Sequence, residues 1–137
     1  MLKLVIAEDE DIIRMGLVQT IDWQAMEVEL VGEAADGMED LEQVKKLLPD
    51  VLLTDIRMPR LSGLELADKV LAMGQRTRVV FLTSYAEFDY AREALRLQAV
   101  DYLLKPVEEE ELAKVMQNIA KDLAKQAELE AGGENGP

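Results

Sequence analysis

The 137 residues carry a net charge of −13, and 49% of them are apolar. That balance fits one globular domain with a core and excludes a disordered chain; the charge argues against binding DNA, RNA or anionic lipid. Cys and His are both absent, which excludes disulfides, thiolate or imidazole metal sites, thiol nucleophiles and Ser–His chemistry.

The chain opens with "LKLVIA" (2–7), a buried strand that runs straight into four acids, Glu8, Asp9, Glu10 and Asp11. "MLKLVIA" is too short for a signal peptide, and no apolar run approaches the roughly 20 residues needed to span a bilayer, so a cytoplasmic location is expected. A helix follows at 11–21, with Ile12, Met15 and Val18 or Gln19 as its apolar stripe. Asp11 reads most simply as a helix N-cap or first-turn acid, and Glu10 as a solvated one. After the loop "DWQAM" come a strand at 28–33 and a helix at 36–48, its stripe read as Met38, Leu41, Val44 and Leu48 and its stop as Pro49 and Asp50.

"VLLT" (51–54) is a continuous apolar run, as expected of a central strand covered on both faces. The next helix, 62–73, has Ser62 at its start and Gly74 just beyond its end. A strand at 79–83, a helix at 86–98, a strand at 100–104 and a last helix from 107 to about 128 complete the series. Five strands alternating with five helices predict an α/β fold, a doubly wound five-stranded parallel sheet flanked by five helices, with the domain at 1–128. Periodicity leaves the strand order open. Residues 129–137, ending "AGGENGP", have linker composition and are expected to be disordered, either as an expression remnant or as the start of a longer linker.

Sites in open parallel sheets form beyond the carboxyl ends of the strands. Glu8 and Asp9 stand there after the first strand, Asp55 after the third, Thr83 and Ser84 at the fourth, and Lys105 and Pro106 after the fifth. Carboxylates within about 4–6 Å of one another repel, and a cation resolves the conflict. An all-oxygen donor set suits magnesium or manganese, and magnesium favours one or two carboxylates with phosphate oxygens, so such a rim is suited to receive a phosphoryl group. Taken singly, each of these residues could be an ordinary turn acid or surface charge. The ordered set at successive strand ends is much harder to reach by chance.

With the acid pair Glu8–Asp9, "LLTDIRMPRLSGLEL" around Asp55, "VVFLTSY" with Thr83, and "AVDYLLKPV" with Tyr102, Lys105 and Pro106, the chain resembles the receiver domain of two-component response regulators over residues 2–125. The stretches "IDWQAMEVELVGEAADG", "YAEFDYAREAL" and "LLKPVEEEEL" resemble the YesN/AraC-type subgroup. The resemblance implies the flavodoxin-like receiver fold. It implies a signalling switch whose only catalysis is its own phosphorylation and dephosphorylation at Asp55, the phosphoacceptor for a sensor histidine kinase.

Under the same resemblance Asp9, Asp55 and the backbone carbonyl of Arg57 would hold Mg2+ (or Mn2+), with Glu8 acting through water. Lys105 would pair with the phosphoryl oxygens, and Thr83 would donate to them after phosphorylation while Tyr102 turns into the space vacated. The Lys105–Pro106 bond is expected to be cis. Arg57 and Tyr85 would border the phosphoryl group. A phosphorylation-promoted homodimer through 86–128 is expected, and transcriptional output through a C-terminal helix-turn-helix domain that this chain lacks. The alternative is a stand-alone receiver acting by protein–protein interaction. Where the family often has two Asp in its first acid pair, this chain has Glu8, an extra methylene that a water-mediated contact tolerates.

Three other readings meet specific obstacles. A haloacid-dehalogenase-like phosphatase wants a second Asp two residues after the acceptor, where Arg57 stands. A flavodoxin-like FMN protein wants a Ser/Thr/Gly-rich phosphate loop where "EDED" stands. Retention of Asp9, Asp55, Thr83 and Lys105 together argues against a receiver fold that has lost phosphorylation.

Overall fold

The computed structural model describes residues 1–74, 77–84 and 101–135. Its five strands are β1 (Leu2–Ala7), β2 (Val28–Ala34), β3 (Val51–Asp55), β4 (Arg78–Thr83) and β5 (Asp101–Leu104). All pair in parallel, in the order β2-β1-β3-β4-β5. The described helices are α1 (Asp11–Thr20), α2 (Gly37–Leu47), α3 (Gly63–Ala72) and α4 (Glu109–Asn135), with a 3-10 turn at Gln24–Met26. The helix expected at 86–98 lies outside the described residues.

Alternation along the strands sorts the core into two layers. Val5, Ala7, Leu52, Ile56, Val79 and Phe81 face α2 and α3. Leu4, Ile6, Val51, Leu53, Val80 and Leu82 face the opposite way, onto Leu17 and Trp23 and the α4 residues Leu112, Met116 and Ile119. The Trp23 indole N–H donates to the Leu17 carbonyl at 2.9 Å, so the bulky ring is buried without an unmet donor. β3 is buried along its whole length, the outcome the apolar run at 51–54 predicts.

The phase of two helices differs from the expected one. Ile12 is 86% exposed and Met15 52% exposed, whereas Leu17 is buried and Ile13, Val18 and Ile21 pack on the core. Ile12 and Met15 with Val18 or Gln19, and Ile13/Leu17/Ile21, both satisfy helical spacing; of the first set Val18 alone packs inward, and only packing selects between them. On α2 the inward stripe is Gly37, Asp40, Leu41 and Val44, with Leu47 beside it. Met38 and Leu48 are exposed, Leu48 being the left-handed C-cap at φ 48°.

Local signals set most helix ends. Asp36 caps α2 by accepting from the Glu39 N–H, and Ser62 and Glu65 form a reciprocal capping box on α3. Asp11 is a first-turn acid, and the N-cap, Glu10, makes no side-chain capping bond. The last helix runs on to Asn135 rather than stopping near 128, so residues 129–135, expected in a linker, are helical. Good helix formers at 123–131, "LAKQAELEA", give the helix no reason to stop at 128.

Candidate functional site

The sheet order decides the site. From β1 the chain reaches β2 on one side and β3, β4 and β5 on the other, so the order reverses between β1 and β3. Ala7 pairs with Thr54 across this switch point. The next residue on each strand is an acid, Glu8 and Asp55, and a crevice is expected just there. Glu8, Asp9 and Asp55 each offer a carboxylate oxygen, and these atoms lie within 4.8 Å of one another.

Each acid has a different environment. Asp55 is 4% exposed. Its Oδ1 accepts from the Ile56 N–H at 2.8 Å, and its Oδ2 accepts from Lys105 Nζ at 3.1 Å. Glu8 is fully buried, and its own N–H is held by the Ala34 carbonyl at 3.0 Å. Lys105 Nζ lies 3.2 Å from Glu8 Oε1 as an ion pair, yet among the described residues neither Glu8 oxygen has an aligned hydrogen-bond donor. Burial, reinforced by the facing Asp55, pushes the Glu8 carboxyl up to about 8; the Lys105 charge only partly opposes this. Burial also works against the Lys105 ammonium, but the bond to Asp55 and the charges of both acids outweigh it and raise its pKa. Asp9 is half-buried, and Glu10 is exposed.

Lys105 is delivered by β5 and the turn after it. Its N–H donates to the Thr83 carbonyl at 2.8 Å, and the Lys105–Pro106 peptide is cis. Thr83 ends β4 fully buried, with its hydroxyl donating to the Ser84 carbonyl at 2.9 Å. On the other side, Gly63 donates to the Ile56 carbonyl at 2.7 Å and packs so close to the Asp55 carbonyl that a Cβ there would overlap it. Glycine is therefore required where α3 begins, and this contact seats the loop 56–62. Arg57 lies on that loop with an exposed side chain. Tyr102 is 44% exposed on β5. Tyr85 and the 86–98 part of the expected dimer face fall outside the described residues.

Glu8, Asp9, Asp55 and Lys105 therefore meet at one point, and Thr83 ends the neighbouring strand. Arg14, absent from the sequence-derived set, adjoins them: it donates to the Glu8 backbone carbonyl at 2.7 Å and pairs with Asp11 and Glu33. Its only sequence signal is a lone base three residues beyond a run of four acids. The donor set suits a hard divalent cation: the oxygens are all carboxylate, and a fully buried pair of them has no aligned hydrogen-bond donor among the described residues.

Comparison with known proteins follows the same lines. The response regulator receiver domain family matches residues 4–117. The chain is 35% identical over 126 residues to the uncharacterized transcriptional regulatory protein YesN of Bacillus subtilis, covering 92% of this chain and 34% of that protein. It is 42% identical over 126 residues to the transcriptional regulatory protein BtsR of Salmonella typhimurium, covering 92% and 51%. Among solved structures, the REC domain of AraT, a response regulator from Geobacillus stearothermophilus, superposes with a TM-score of 0.80 at 40% identity, over 92% of this chain and 98% of that one. A two component transcriptional regulator AraC from Clostridium phytofermentans gives 0.82 at 34% identity, over 93% and 99%. The chain thus spans about a third to a half of the length of the two curated relatives. Among the described residues no helix is long and apolar enough to cross a membrane.

Proposed function

The chain belongs to the response regulator receiver domain family, and we propose that it is a cytoplasmic phosphorylation-controlled switch in which Asp55 takes a phosphoryl group from the phosphohistidine of a sensor kinase. One observation carries this reading. A strand-end carboxylate, held by a backbone N–H and a lysine, faces two further acids, one of them buried with no aligned hydrogen-bond donor among the described residues.

In this reaction an Asp55 oxygen forms a bond to phosphorus as the phosphorus–nitrogen bond of the donor breaks, and the imidazole leaves with the electron pair. Mg2+ or Mn2+, held by Asp9, Asp55 and the Arg57 carbonyl with Glu8 reached through water, would neutralise the charge gathering on the phosphoryl oxygens. Lys105 already lies between Asp55 and Glu8, so its ammonium can pass from the carboxylates to a phosphoryl oxygen by a small movement. Thr83 would exchange its bond to the Ser84 carbonyl for one to the phosphoryl group, and Tyr102 on the adjacent β5 would respond. The chain catalyses only its own phosphorylation and dephosphorylation.

Output is part of the same proposal. Relatives two to three times longer are named as transcriptional regulators, which supports transcriptional output through a DNA-binding segment beyond this chain. A phosphorylation-promoted homodimer through 86–128 would link the two.

Intact mass after incubation with Mg2+ and acetyl phosphate tests the function. One phosphoryl adduct per chain is expected; no adduct at saturating donor would refute the reading. The metal has its own test. Asp9→Ala is expected to weaken Mg2+ binding by about tenfold or more, the scale on which even outer partners of a metal act. Glu10→Ala removes the same charge from an exposed position and should change binding far less. Equal losses in calorimetric titrations of the two variants would misplace the site.

A further inference from the structure

The loop that carries Glu8 and Asp9 has little of its own to hold it. The N-cap of α1, Glu10, makes no side-chain capping bond. The four-acid run repels itself, and the Glu8 carboxylate has no aligned donor among the described residues. Beyond the Glu8 N–H bond to the Ala34 carbonyl and the Lys105 ion pair, what fixes the loop comes from one turn further along. Arg14 reaches back with all three of its nitrogens: Nη1 donates to the Glu8 backbone carbonyl at 2.7 Å, Nη2 to Asp11 Oδ1 at 2.6 Å, and Nε to Glu33 Oε1 at 3.3 Å. Its side chain is 15% exposed and its bond to the Glu8 carbonyl is partly buried, whereas the partner acids Asp11 and Glu33 are 77% and 47% exposed, so the backbone bond is the shielded one of the three.

The first of these bonds matters most. The Glu8 carbonyl belongs to the peptide unit that joins Glu8 to Asp9, and that unit is planar. Holding its oxygen sets the direction in which the chain enters Asp9. The other two bonds fix the guanidinium itself, one on the first turn of α1 and one on β2. The planar fork ties β1, α1 and β2 together at the point where the two acids emerge. A lysine also has three donors, but all sit on one nitrogen, so it cannot span three acceptors that the guanidinium meets with three separate nitrogens.

We infer that Arg14 is a positioning residue for the divalent cation site: it touches neither metal nor substrate, and it sets the Glu8–Asp9 backbone so that both carboxylates converge with Asp55. The inference rests on the metal reading proposed above. Charge and position pull in opposite directions here, which makes the two separable. A cation near the site opposes Mg2+, so a purely electrostatic Arg14 would bind the metal more tightly when its charge is removed and would be indifferent to replacement by lysine. A positioning Arg14 loses affinity in both cases.

The test is calorimetric titration of the full chain with Mg2+, repeated by electron paramagnetic resonance with Mn2+, on wild type, Arg14→Met and Arg14→Lys. Melting curves of the metal-free proteins are recorded alongside. Arg14→Met is expected to raise Kd by about tenfold, the lower end of what outer partners of a metal contribute. Arg14→Lys should raise it severalfold despite keeping the charge, at temperatures where the protein is fully folded. Should Arg14→Met fail to fold, the lysine variant decides alone. Unchanged Kd in Arg14→Lys overturns the inference, even if the melting temperature falls, because that pattern belongs to a residue that only stabilises the fold. Absence of Mg2+ binding by the wild type overturns the metal reading and this inference with it.

Discussion

Asp55→Asn is expected to take up no phosphoryl group from acetyl phosphate while retaining the wild-type fold. The amide nitrogen and oxygen keep the shape of the carboxylate, so the Ile56 N–H can still donate to the side-chain oxygen, as it does at 2.8 Å in the wild type. What is lost is the anionic nucleophile. The substitution also removes one of two facing acids, since Asp55 raises the pKa of the buried Glu8. Stability should therefore be unchanged or higher, with Lys105 still paired to Glu8. Intact mass and circular dichroism measured together distinguish a lost acceptor from a lost fold. Labelling of the variant at the wild-type level would transfer the acceptor role to another carboxylate, Glu8 and Asp9 being the other acids of the cluster.

Asp40→Asn is expected to stabilise the protein above neutral pH. Asp40 sits on the inward face of α2, 0% exposed, and neither carboxylate oxygen has a hydrogen-bond partner among the described residues. Burial, with a smaller contribution from the neighbouring Glu39 charge, pushes its carboxyl up to about 7 from an ordinary 3.8. A folded-state pKa above the unfolded one means the folded chain holds the proton more tightly. That contribution to stability is complete below about pH 4, falls as pH rises towards 7, and is gone above it. Each pH unit across the window costs about 1.4 kcal/mol, so the wild type forgoes a few kcal/mol by pH 8. Asparagine keeps the volume and cannot ionise. Denaturant midpoints of the two proteins should converge near pH 4 and separate steadily up to pH 7. Glu8 titrates in both and cancels in the difference. Parallel pH profiles would show that Asp40 finds a partner or water in solution.

Asp40 also shows where a one-dimensional reading stops. An acid at a helical position is read as solvent-facing, and the spacing of Met38, Leu41, Val44 and Leu48 offered a consistent stripe without it. The actual stripe is turned towards Gly37 and Asp40 because α2 must meet Leu61 at its first turn. A Cβ on Gly37 would overlap the Leu61 carbonyl oxygen, so only glycine allows the two backbones to approach. The phase of α1 follows the same logic: Leu17 and Ile13 face inward because they meet the layer containing Leu4, Ile6 and Leu82.

The sequence by itself determined what depends on near neighbours. Apolar runs ending in acids, hydroxyls or lysine marked the strands and the functional groups at their ends. Ser62 and Pro49 marked helix limits, because capping and chain stopping act over three or four residues. Those signals were enough to single out Glu8, Asp9, Asp55, Thr83 and Lys105. Only the tertiary structure decided that β1 lies beside β3, which brings residues 8 and 55 together, and that Lys105 spans the two acids at 3.1 and 3.2 Å. Only it turned Asp40 inward and let Arg14 reach the Glu8 carbonyl and Glu33. The physical reason is the same in each case. Strand order, helix phase and the reach of a long side chain are chosen by burying surfaces distant in sequence, and several arrangements satisfy the local pattern equally until those surfaces meet.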